Sequence, residues 1–251
     1  AKFCGNNPTD FWRKANLLSI QQGGNSQREL LAMFSGILQQ ELNLDIKTCG
    51  SSDGPYIYLD DGIFSGMRTL SDLRTWLSSA APAKFELRIV VAALHWSGQY
   101  YANREMEKIR KTTGKDINVS WWRILELENR RAYKDRSDVL WPTVVPDGHL
   151  PNQYVKYLTE EEPKYKLELR TPGSIGGNKF FPSDAARIHM EQALLSAGFL
   201  IRSRCPNLPE VARPLGFTGL KTFGFGSTIV TFRNCPNNAP LAFWVSDPWY
   251  P

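Results

Sequence analysis

Residues 56–69, with the sequence YIYLDDGIFSGMRT, decide the predicted fold of this 251-residue chain. The segment begins as a short apolar, partly β-branched run, which is typical of a buried strand. Two adjacent carboxylates, Asp60 and Asp61, come next, and a short linker leads to Ser65-Gly66. The apolar residues after the linker repeat with the spacing of one helix face: Leu70, Leu73, Trp76 and Leu77. The segment therefore predicts a strand, an acidic turn and a helix in direct succession.

This succession suits the binding of a sugar phosphate. Backbone N–H groups at a helix N-terminus are unpaired and lie at the positive end of the helix dipole, so they bind phosphate well. Gly66 lets the backbone approach a ligand closely, and Ser65 adds a hydroxyl donor. Asp60 and Asp61 are placed to accept hydrogen bonds from ribose hydroxyls. The alternative interpretation is an Asp-Asp turn that only caps the helix.

A second pattern of the same kind lies upstream, in residues 17–42. A short apolar run at residues 17–20 leads into the polar turn Gly23-Gly24-Asn25-Ser26. An amphipathic helix follows, and its apolar stripe comprises Leu30, Leu31, Phe34, Ile37, Leu38 and Leu42. Ser26 and Glu29 have the spacing of a capping box. The glycine turn is a candidate anion-binding loop, although two glycines before a helix are also an ordinary connection.

The alternation of strands and helices continues after this point. Residues 85–94 form an apolar run typical of a central strand that is covered on both faces, and residues 98–112 and 117–125 predict a polar helix and a further strand. Such alternation predicts an α/β fold with a parallel sheet and flanking helices. Ligands bind beyond the carboxyl ends of the strands in such sheets. His95 therefore has two interpretations, a residue that faces the site and a structural histidine at a strand end.

The composition changes after residue 130, and this change sets the predicted domain organisation. Residues 1–145 form the α/β core, residues 146–179 a loop or hood insertion rich in Pro, Gly, Glu and Lys, and residues 180–251 complete the same domain. The last part begins with a helix after Pro182-Ser183-Asp184. It ends with strand patterns at residues 229–232 and 241–245, which predict a β-rich C-terminal extension.

Composition and charge narrow the function classes. Hydrophobic content of 42% and charged content of 22% are ordinary for a globular protein, and no apolar run approaches the roughly 18 residues of a membrane span. The net charge of +5 favours anionic ligands, and only weakly favours nucleic acid. The four cysteines are far apart and form no CxxC pair, which argues against a zinc site and favours free thiols. We therefore expect a cytoplasmic protein with no membrane segment.

The segment 56–69 resembles the phosphoribosyl-pyrophosphate loop of type I phosphoribosyltransferases. That loop consists of a hydrophobic strand, two acidic residues, three variable residues, Thr-Gly, a small residue and Thr. The residues that match in order and spacing are Asp60, Asp61, Gly62, Ile63, Phe64, Ser65 and Gly66. The chain departs from the pattern at Ser65, which replaces Thr, and at Met67 and Arg68, which replace the small residue and the final Thr. Thr69 comes one position late.

The resemblance implies a phosphoribosyltransferase-like, Rossmann-like fold and a set of roles. Asp60 and Asp61 would hold the ribose hydroxyls and stabilise positive charge during catalysis, and Ser65 and Gly66 would bind the 5′-phosphate. The other substrate-binding residues of the loop would be Gly62, Ile63, Phe64, Arg68 and Thr69. The turn at residues 23–26 would bind pyrophosphate, and a Mg²⁺ ion would be held largely by substrate oxygens and water. The ligand would be phosphoribosyl pyrophosphate or a nucleotide. Phosphoribosyl transfer, hydrolysis of a nucleotide and a catalytically inactive sensor all remain open.

The C-terminal third shows a narrower resemblance. Residues 224–227 and 233–238, followed by Leu241 and Trp244, are similar to the tail of phosphoribosyltransferase-like effectors of bacterial antiphage defence systems, some of them retron-associated. This resemblance implies a partner consisting of a reverse transcriptase and its RNA–DNA product. Within this region, one or both of Asn237 and Asn238 are candidates to hydrogen-bond a base or a phosphate. The alternative is an Asx turn, which is the usual role of Pro-Asn-Asn.

Overall fold

The computed structural model describes residues 3–160, 168–177, 180–205, 207, 223–231, 235–236 and 238–243. The chain forms two compact units. The first unit comprises residues 1–94 and 98–126, and the second comprises residues 95–97 and 127–251. No helix of the described residues is both long enough and apolar enough to cross a membrane.

The helices and strands alternate through the first half of the chain. In order they are α1 (Pro8–Lys14), β1 (Asn16–Leu17), α2 (Ser26–Leu42), a 3-10 helix (Ile46–Thr48), β2 (Tyr56–Ile63), α3 (Met67–Ser79), β3 (Lys84–His95), α4 (Trp96–Thr113) and β4 (Asp116–Leu127). Each predicted strand and helix of residues 17–125 has a counterpart in this series. The strand predicted at residues 17–20 differs in its length and position, because β1 consists only of Asn16 and Leu17.

The four strands form one sheet in the order β1-β2-β3-β4. β1 pairs with β2 in parallel, with Asn16 opposite Tyr56. β2 pairs with β3 in parallel, with Asp60 opposite Val91 and Ile63 opposite Leu94. The prediction of an α/β fold with a parallel sheet is confirmed. The loops after β1 and β2 therefore leave the same edge of the sheet, which brings the two predicted anion-binding turns to neighbouring positions.

The core of the first unit lies between the sheet and its helices. Its buried residues include Tyr58 and Ile63 on β2, Leu73 and Leu77 on α3, and further residues on β3 and α4. Burial alternates along β3. The side chains of Phe85, Leu87, Ile89 and Val91 are buried, whereas the residues between them are half-buried. The expectation of a central strand is confirmed, since β3 lies between β2 and β4, but the second face of the strand is only partly covered. The sequence predicts two covered faces because the residues on the more open face include the apolar Val90 and Ala92.

The second unit contains two further helices, α5 (His149–Glu160) and α6 (Asp184–Arg204). The predicted helix after Ser183 is confirmed, and the Ser183 side chain caps it by accepting a hydrogen bond from the Ala186 N–H. The interpretation of residues 146–179 as a loop is wrong for α5, which lies inside that segment. Its role as a hood and the predicted domain boundaries stay predictions. A 3-10 helix, Arg131–Arg136, follows β4.

The β-rich C-terminal extension is not shown. Leu140 and Gly226 form an isolated antiparallel bridge. Residues 229–231 have no strand, and residue 232 lies outside the described residues. The strand predicted at residues 241–245 is wrong for Leu241–Phe243, which form a 3-10 helix, and residues 244–245 lie outside the described residues. A single apolar run of five residues does not distinguish a strand from a short buried turn of helix.

Two arginines in the interior of the second unit hold its chain segments together. Arg170 and Arg187 are buried with the carboxylate of Glu191, whose Oε1 lies 3.3 Å from Arg170 Nη2 and 3.0 Å from Arg187 Nε. Both arginines also donate hydrogen bonds to the carbonyls of Ser137 and Val139. Burial lowers the pKa of Arg170 to about 10. These charges stabilise the unit only as a set, since a buried charge without its partner is strongly destabilising.

Candidate functional site

Both aspartates of the predicted ligand loop lie inside strand β2. The strand continues past them to Ile63, so they are part of the sheet and do not form a turn after it. Successive side chains of a strand point to opposite faces. Asp60 therefore shares a face with Tyr58, while Asp61 points to the other side of the sheet. Asp60 is buried and Asp61 is half-buried.

The Asp60 carboxylate is surrounded by hydrogen-bond donors. Its Oδ1 accepts from the Ser26 hydroxyl and from the Asp61 backbone N–H, both at 2.9 Å. Its Oδ2 lies 3.3 Å from the Tyr58 hydroxyl. Burial, followed by the negative charge of Asp61, raises the pKa of Asp60 to about 7, against the opposing effect of the bonds from Ser26 and the Asp61 N–H. A carboxyl group in this state is poised to exchange a proton near neutral pH.

A second buried carboxylate belongs to the same network. Asp72 on α3 is 1% exposed, and its Oδ2 lies 3.3 Å from the hydroxyl of Tyr58. Burial raises the pKa of Asp72, and burial also raises the pKa of Tyr58. The sequence did not lead us to Asp72 or Tyr58 as site residues. The available signal was the position of Asp72 four residues before Trp76, which puts a carboxylate on the apolar face of α3.

The glycine turn after β1 is fixed to strand β2 by side chains. Gln27 is fully buried, and its Oε1 accepts from the backbone N–H groups of Ile20 and Gln21 at 2.7 and 3.0 Å. Its Nε2 donates to the carbonyl of Leu59 at 3.3 Å. Helix α2 begins at Ser26 without a side-chain cap from Asn25. The expected capping box is therefore not the main role of Ser26, whose hydroxyl donates to Asp60.

The predicted phosphate turn lies at the N-terminus of α3. Gly66 has a φ of 76° and precedes the helix, and the Ser65 hydroxyl accepts from the Met67 N–H at 3.3 Å. A Cβ atom on Gly66 would lie 2.4 Å from the carbonyl oxygen of Gly98. The backbone of α4 therefore requires a glycine at position 66, whether or not a ligand binds there.

Several predicted ligand residues have side chains that lie in the protein interior. Ile63, Phe64 and Thr69 are buried, and a Cβ atom on Gly62 would lie 3.1 Å from the Phe64 ring. The side chains of Ile63 and Phe64 therefore belong to the packing of the first unit. Any ligand contact from these two residues has to come from the backbone. Gly23 and Ser26 are half-buried, whereas Gly24 and Asn25 are exposed.

Arg68 joins the two predicted anion-binding turns. It lies in the first turn of α3, its side chain is exposed, and its Nη1 donates to the carbonyl of Gly23 at 2.9 Å. The Gln22 N–H donates to Asp72 Oδ1 at 3.2 Å. The structure thus brings the glycine turn, the acidic strand and the start of α3 together around one cation and two buried carboxylates. Such an arrangement can bind an anionic ligand that also carries hydroxyl groups.

A family model with the description PRTase-CE matches residues 1–251. The chain belongs to the PRTase-CE family. No curated protein and no solved structure matches the chain significantly. The family is phosphoribosyltransferase-like, so the resemblance of residues 56–69 is confirmed at the level of the family. Membership points to a phosphoribosyltransferase-like function and to a substrate of the nucleotide or phosphoribosyl-pyrophosphate type.

The remaining predicted residues of this PRTase-CE chain lie in or near its second unit. Asn237 lies outside the described residues. Asn238 is 1% exposed, and its side-chain atoms have no hydrogen-bond partner among the described residues. The Ala239 N–H donates to the carbonyl of Pro236 at 2.9 Å, and both the ligand contact and the Asx turn proposed for the two asparagines stay predictions. His95 is fully buried, with its Nε2 2.9 Å from Ser227 Oγ, which favours a structural role.

Metal binding is the last chemical property of the site. Among the described residues, no group of three His, Cys, Asp or Glu side chains is arranged to hold a metal ion. A Mg²⁺ ion would be held by ligand oxygens and water, as is common for this ion. The four cysteines are free.

Proposed function

We propose that the first unit binds a ribose 5-phosphate compound, either phosphoribosyl pyrophosphate or a nucleotide. The observation that carries this proposal is that the glycine turn contacts both Asp60 and the helix that follows the phosphate turn. Ser26 of the glycine turn donates to Asp60 directly, and Arg68 of the phosphate turn donates to Gly23. A phosphate and a pyrophosphate group at the two turns would place the ribose between them, next to the acidic strand.

The two aspartates have different roles in this proposal, because they face opposite sides of the sheet. Asp60 lies on the face of Ser26 and Tyr58, so it is the carboxylate that accepts the ribose hydroxyls. Hydrogen bonds to the ionised form lower a carboxyl pKa, so ligand binding would favour ionised Asp60. Asp61 contributes negative charge, which already acts on Asp60 in the free protein.

The chemistry we propose is transfer or hydrolysis at the anomeric carbon of the ribose. Such a reaction passes through a state with positive charge on the sugar ring, and the protein contributes positioning and charge stabilisation. Ionised Asp60 would stabilise that charge, while Arg68 and the N–H groups of α3 would hold the phosphate. A ligand-bound Mg²⁺ ion would neutralise pyrophosphate charge.

Calorimetric titration tests the binding proposal. Wild-type protein should bind phosphoribosyl pyrophosphate with Mg²⁺, and Asp60→Asn and Arg68→Gln should each weaken binding by roughly tenfold or more, because each removes a charge-assisted hydrogen bond. Asp116→Asn, at an exposed carboxylate of β4, is the matched control and should bind like wild type. Equal affinities for wild type and Asp60→Asn would reject the assignment.

A non-catalytic sensor is the second candidate function. It is favoured by Arg68, which stands where the type I loop has its final Thr and is engaged with Gly23. A sensor would bind the ligand without turnover. Incubation of the purified protein with phosphoribosyl pyrophosphate, bases and nucleotides, followed by chromatography of the products, separates the two functions. Release of a free base or of pyrophosphate excludes the sensor.

We also propose that the protein acts as an effector of bacterial antiphage defence, with a reverse transcriptase and its RNA–DNA product as partner. The support for this proposal is the resemblance of residues 224–227 and 233–238. Of these, residues 233, 234 and 237 lie outside the described residues. Co-purification with a co-expressed reverse transcriptase tests the partner, and plaque assays test the defence role. Equal plaque numbers with wild type and Asp60→Asn would contradict a defence role that depends on the ligand site.

A further inference from the structure

One side of helix α3 grips the glycine turn. Arg68, Asp72 and Thr75 are spaced by four and three residues, so they lie on the same side of the helix. Arg68 Nη1 donates to the Gly23 carbonyl at 2.9 Å, and the Gln22 N–H donates to Asp72 Oδ1 at 3.2 Å. The Gln22 side-chain amide donates to Thr75 Oγ1 at 2.8 Å. Three successive positions of this helix side thus hold Gln22, which precedes the turn, and Gly23, the first residue of the turn.

The same helix carries the predicted phosphate turn at its N-terminus. Gly66 immediately precedes α3, and its backbone is packed against Gly98. A rigid helix therefore has one anion-binding turn at its end and the other attached to its side. The contacts with α3 therefore act together with those to β2 in setting the distance between the two turns, whereas the ladder of β1 has only two residues.

Asp72 is the buried centre of this contact. Arg68 and Thr75 are exposed, whereas Asp72 is 1% exposed. Its two oxygens have different partners, since Oδ1 accepts from the Gln22 N–H and Oδ2 from the Tyr58 hydroxyl. Tyr58 in turn lies 3.3 Å from Asp60. The carboxylate of Asp72 therefore connects the helix, the glycine turn and the acidic strand.

We propose that Asp72 is a positioning residue that holds the glycine turn at a fixed distance from the phosphate turn. This fixed spacing selects ligands with two separated anionic groups over ligands with one. The inference rests on the proposed function for the identity of the site, but the positioning of the turn by Asp72 is a property of the ligand-free protein. Asp72 does not contact the ligand.

The test compares two substitutions of Asp72 with different hydrogen-bonding capacity. Asp72→Asn can still accept from the Gln22 N–H and can donate to the Tyr58 oxygen, so it should keep the turn in place. Asp72→Leu keeps the branched shape of the side chain but has no polar atom, so it removes both bonds. In the ligand-free protein, hydrogen exchange of residues 21–25 should become about tenfold faster in Asp72→Leu, and stay near wild type in Asp72→Asn.

Ligand titration supplies a readout that a general loss of stability would not produce. Phosphoribosyl pyrophosphate, which has two anionic groups, should bind about tenfold more weakly to Asp72→Leu than to wild type. Ribose 5-phosphate, which has one, should change by less than about twofold. Should Asp72→Leu fail to fold, Thr75→Val removes one exposed contact of the same helix side and should show the same selectivity at about threefold.

Two results would overturn the inference. The first is unchanged exchange of residues 21–25 in Asp72→Leu. The second is an equal loss of affinity for both ligands, which would mean that Asp72 stabilises the fold without setting the spacing. Failure of the proposed function looks different, because wild-type protein would then bind neither ligand, while the exchange comparison would still decide whether Asp72 positions the turn.

Discussion

The buried carboxyl group of Asp60 should make the stability of the protein depend on pH in a way that one substitution removes. Asp60 is 7% exposed. Its pKa is raised from 3.8 to about 7, chiefly by burial and next by the charge of Asp61. In the unfolded chain the group ionises near its ordinary value. The folded protein therefore binds this proton more tightly than the unfolded chain does.

The sign and size of the effect follow from this difference. A folded-state pKa above the unfolded one adds stability that is fully present below about pH 4 and is lost as the pH rises to about 7. The difference of about three pH units, at about 1.36 kcal/mol each, gives an upper limit of about 4 kcal/mol. Asn at this position has no charge to bury, and its Oδ1 can still accept from Ser26 and from the Asp61 N–H. Asp60→Asn should therefore be about 2–4 kcal/mol more stable than wild type at about pH 8, and nearly equal to it at about pH 4.

Urea unfolding followed by tryptophan fluorescence measures the difference, since the chain has eight tryptophans. The free energy of unfolding of wild type and Asp60→Asn is compared in steps from about pH 4 to pH 8. Asp116→Asn, at a surface carboxylate, should follow the wild-type curve. The reasoning is refuted when Asp60→Asn is less stable than wild type at about pH 8, or when the difference between them does not change with pH. Greater stability together with lost ligand binding would mark Asp60 as a residue kept for function.

Three further substitutions test the packing of the two units. Glu191→Gln leaves two buried arginines without a carboxylate and should lower the free energy of unfolding by about 3–5 kcal/mol in urea titrations. The control Glu107→Gln, at a half-exposed helix pair, should change the free energy of unfolding little. Similar values for the two variants would contradict the buried cluster. Gly66→Ala should destabilise by about 1–3 kcal/mol more than Gly114→Ala in thermal unfolding, because both have positive φ but only Gly66 meets another backbone. Gly36→Ala should stabilise α2 by about 0.5–1 kcal/mol, since among the described residues no atom from outside the local helix backbone lies within 4 Å of the added methyl group. A lower melting temperature would show a contact there.

The strands and helices of the first unit could be predicted because their signals are local. The apolar runs at β2 and β3 and the stripes of α2 and α3 depend on spacing along the chain alone. The aspartate pair and Ser65-Gly66 could be placed beside a helix start for the same reason. The sequence predicted the elements of the candidate site well, but not the contacts between them.

Those contacts depend on residues that are distant in sequence. The bond from Ser26 to Asp60 exists because β1 and β2 are neighbours in the sheet, and no local pattern shows that pairing. Gln27 is fully buried although glutamine usually lies at the surface. A capping-box spacing at Ser26 and Glu29 was a sound local prediction, but a buried carboxylate is a stronger partner for the hydroxyl.

The second unit was harder to predict because the composition of residues 146–179 is typical of a loop, although part of that segment is helical. The polar and proline-rich character of residues 146–179 favoured a loop, yet Pro151, Tyr154, Val155 and Leu158 have the spacing of one helix face, and Pro151 and Leu158 are buried in α5. Pro is tolerated in the first turn of a helix, so its presence was not evidence against one. In the arginine cluster only the i, i+4 spacing of Arg187 and Glu191 is local, because the other partners include the carbonyls of residues 137 and 139.

The way the glycine turn is attached has a consequence for how this region tolerates change. Side chains of α2 and α3 anchor Gln21, Gln22 and Gly23. Gly24 and Asn25 form an exposed tip between these anchors and Ser26. Residues inserted at the tip would extend into solvent and leave the anchoring hydrogen bonds in place. We therefore expect a peptide tag or a spectroscopic probe at this position to leave the neighbouring strands unchanged.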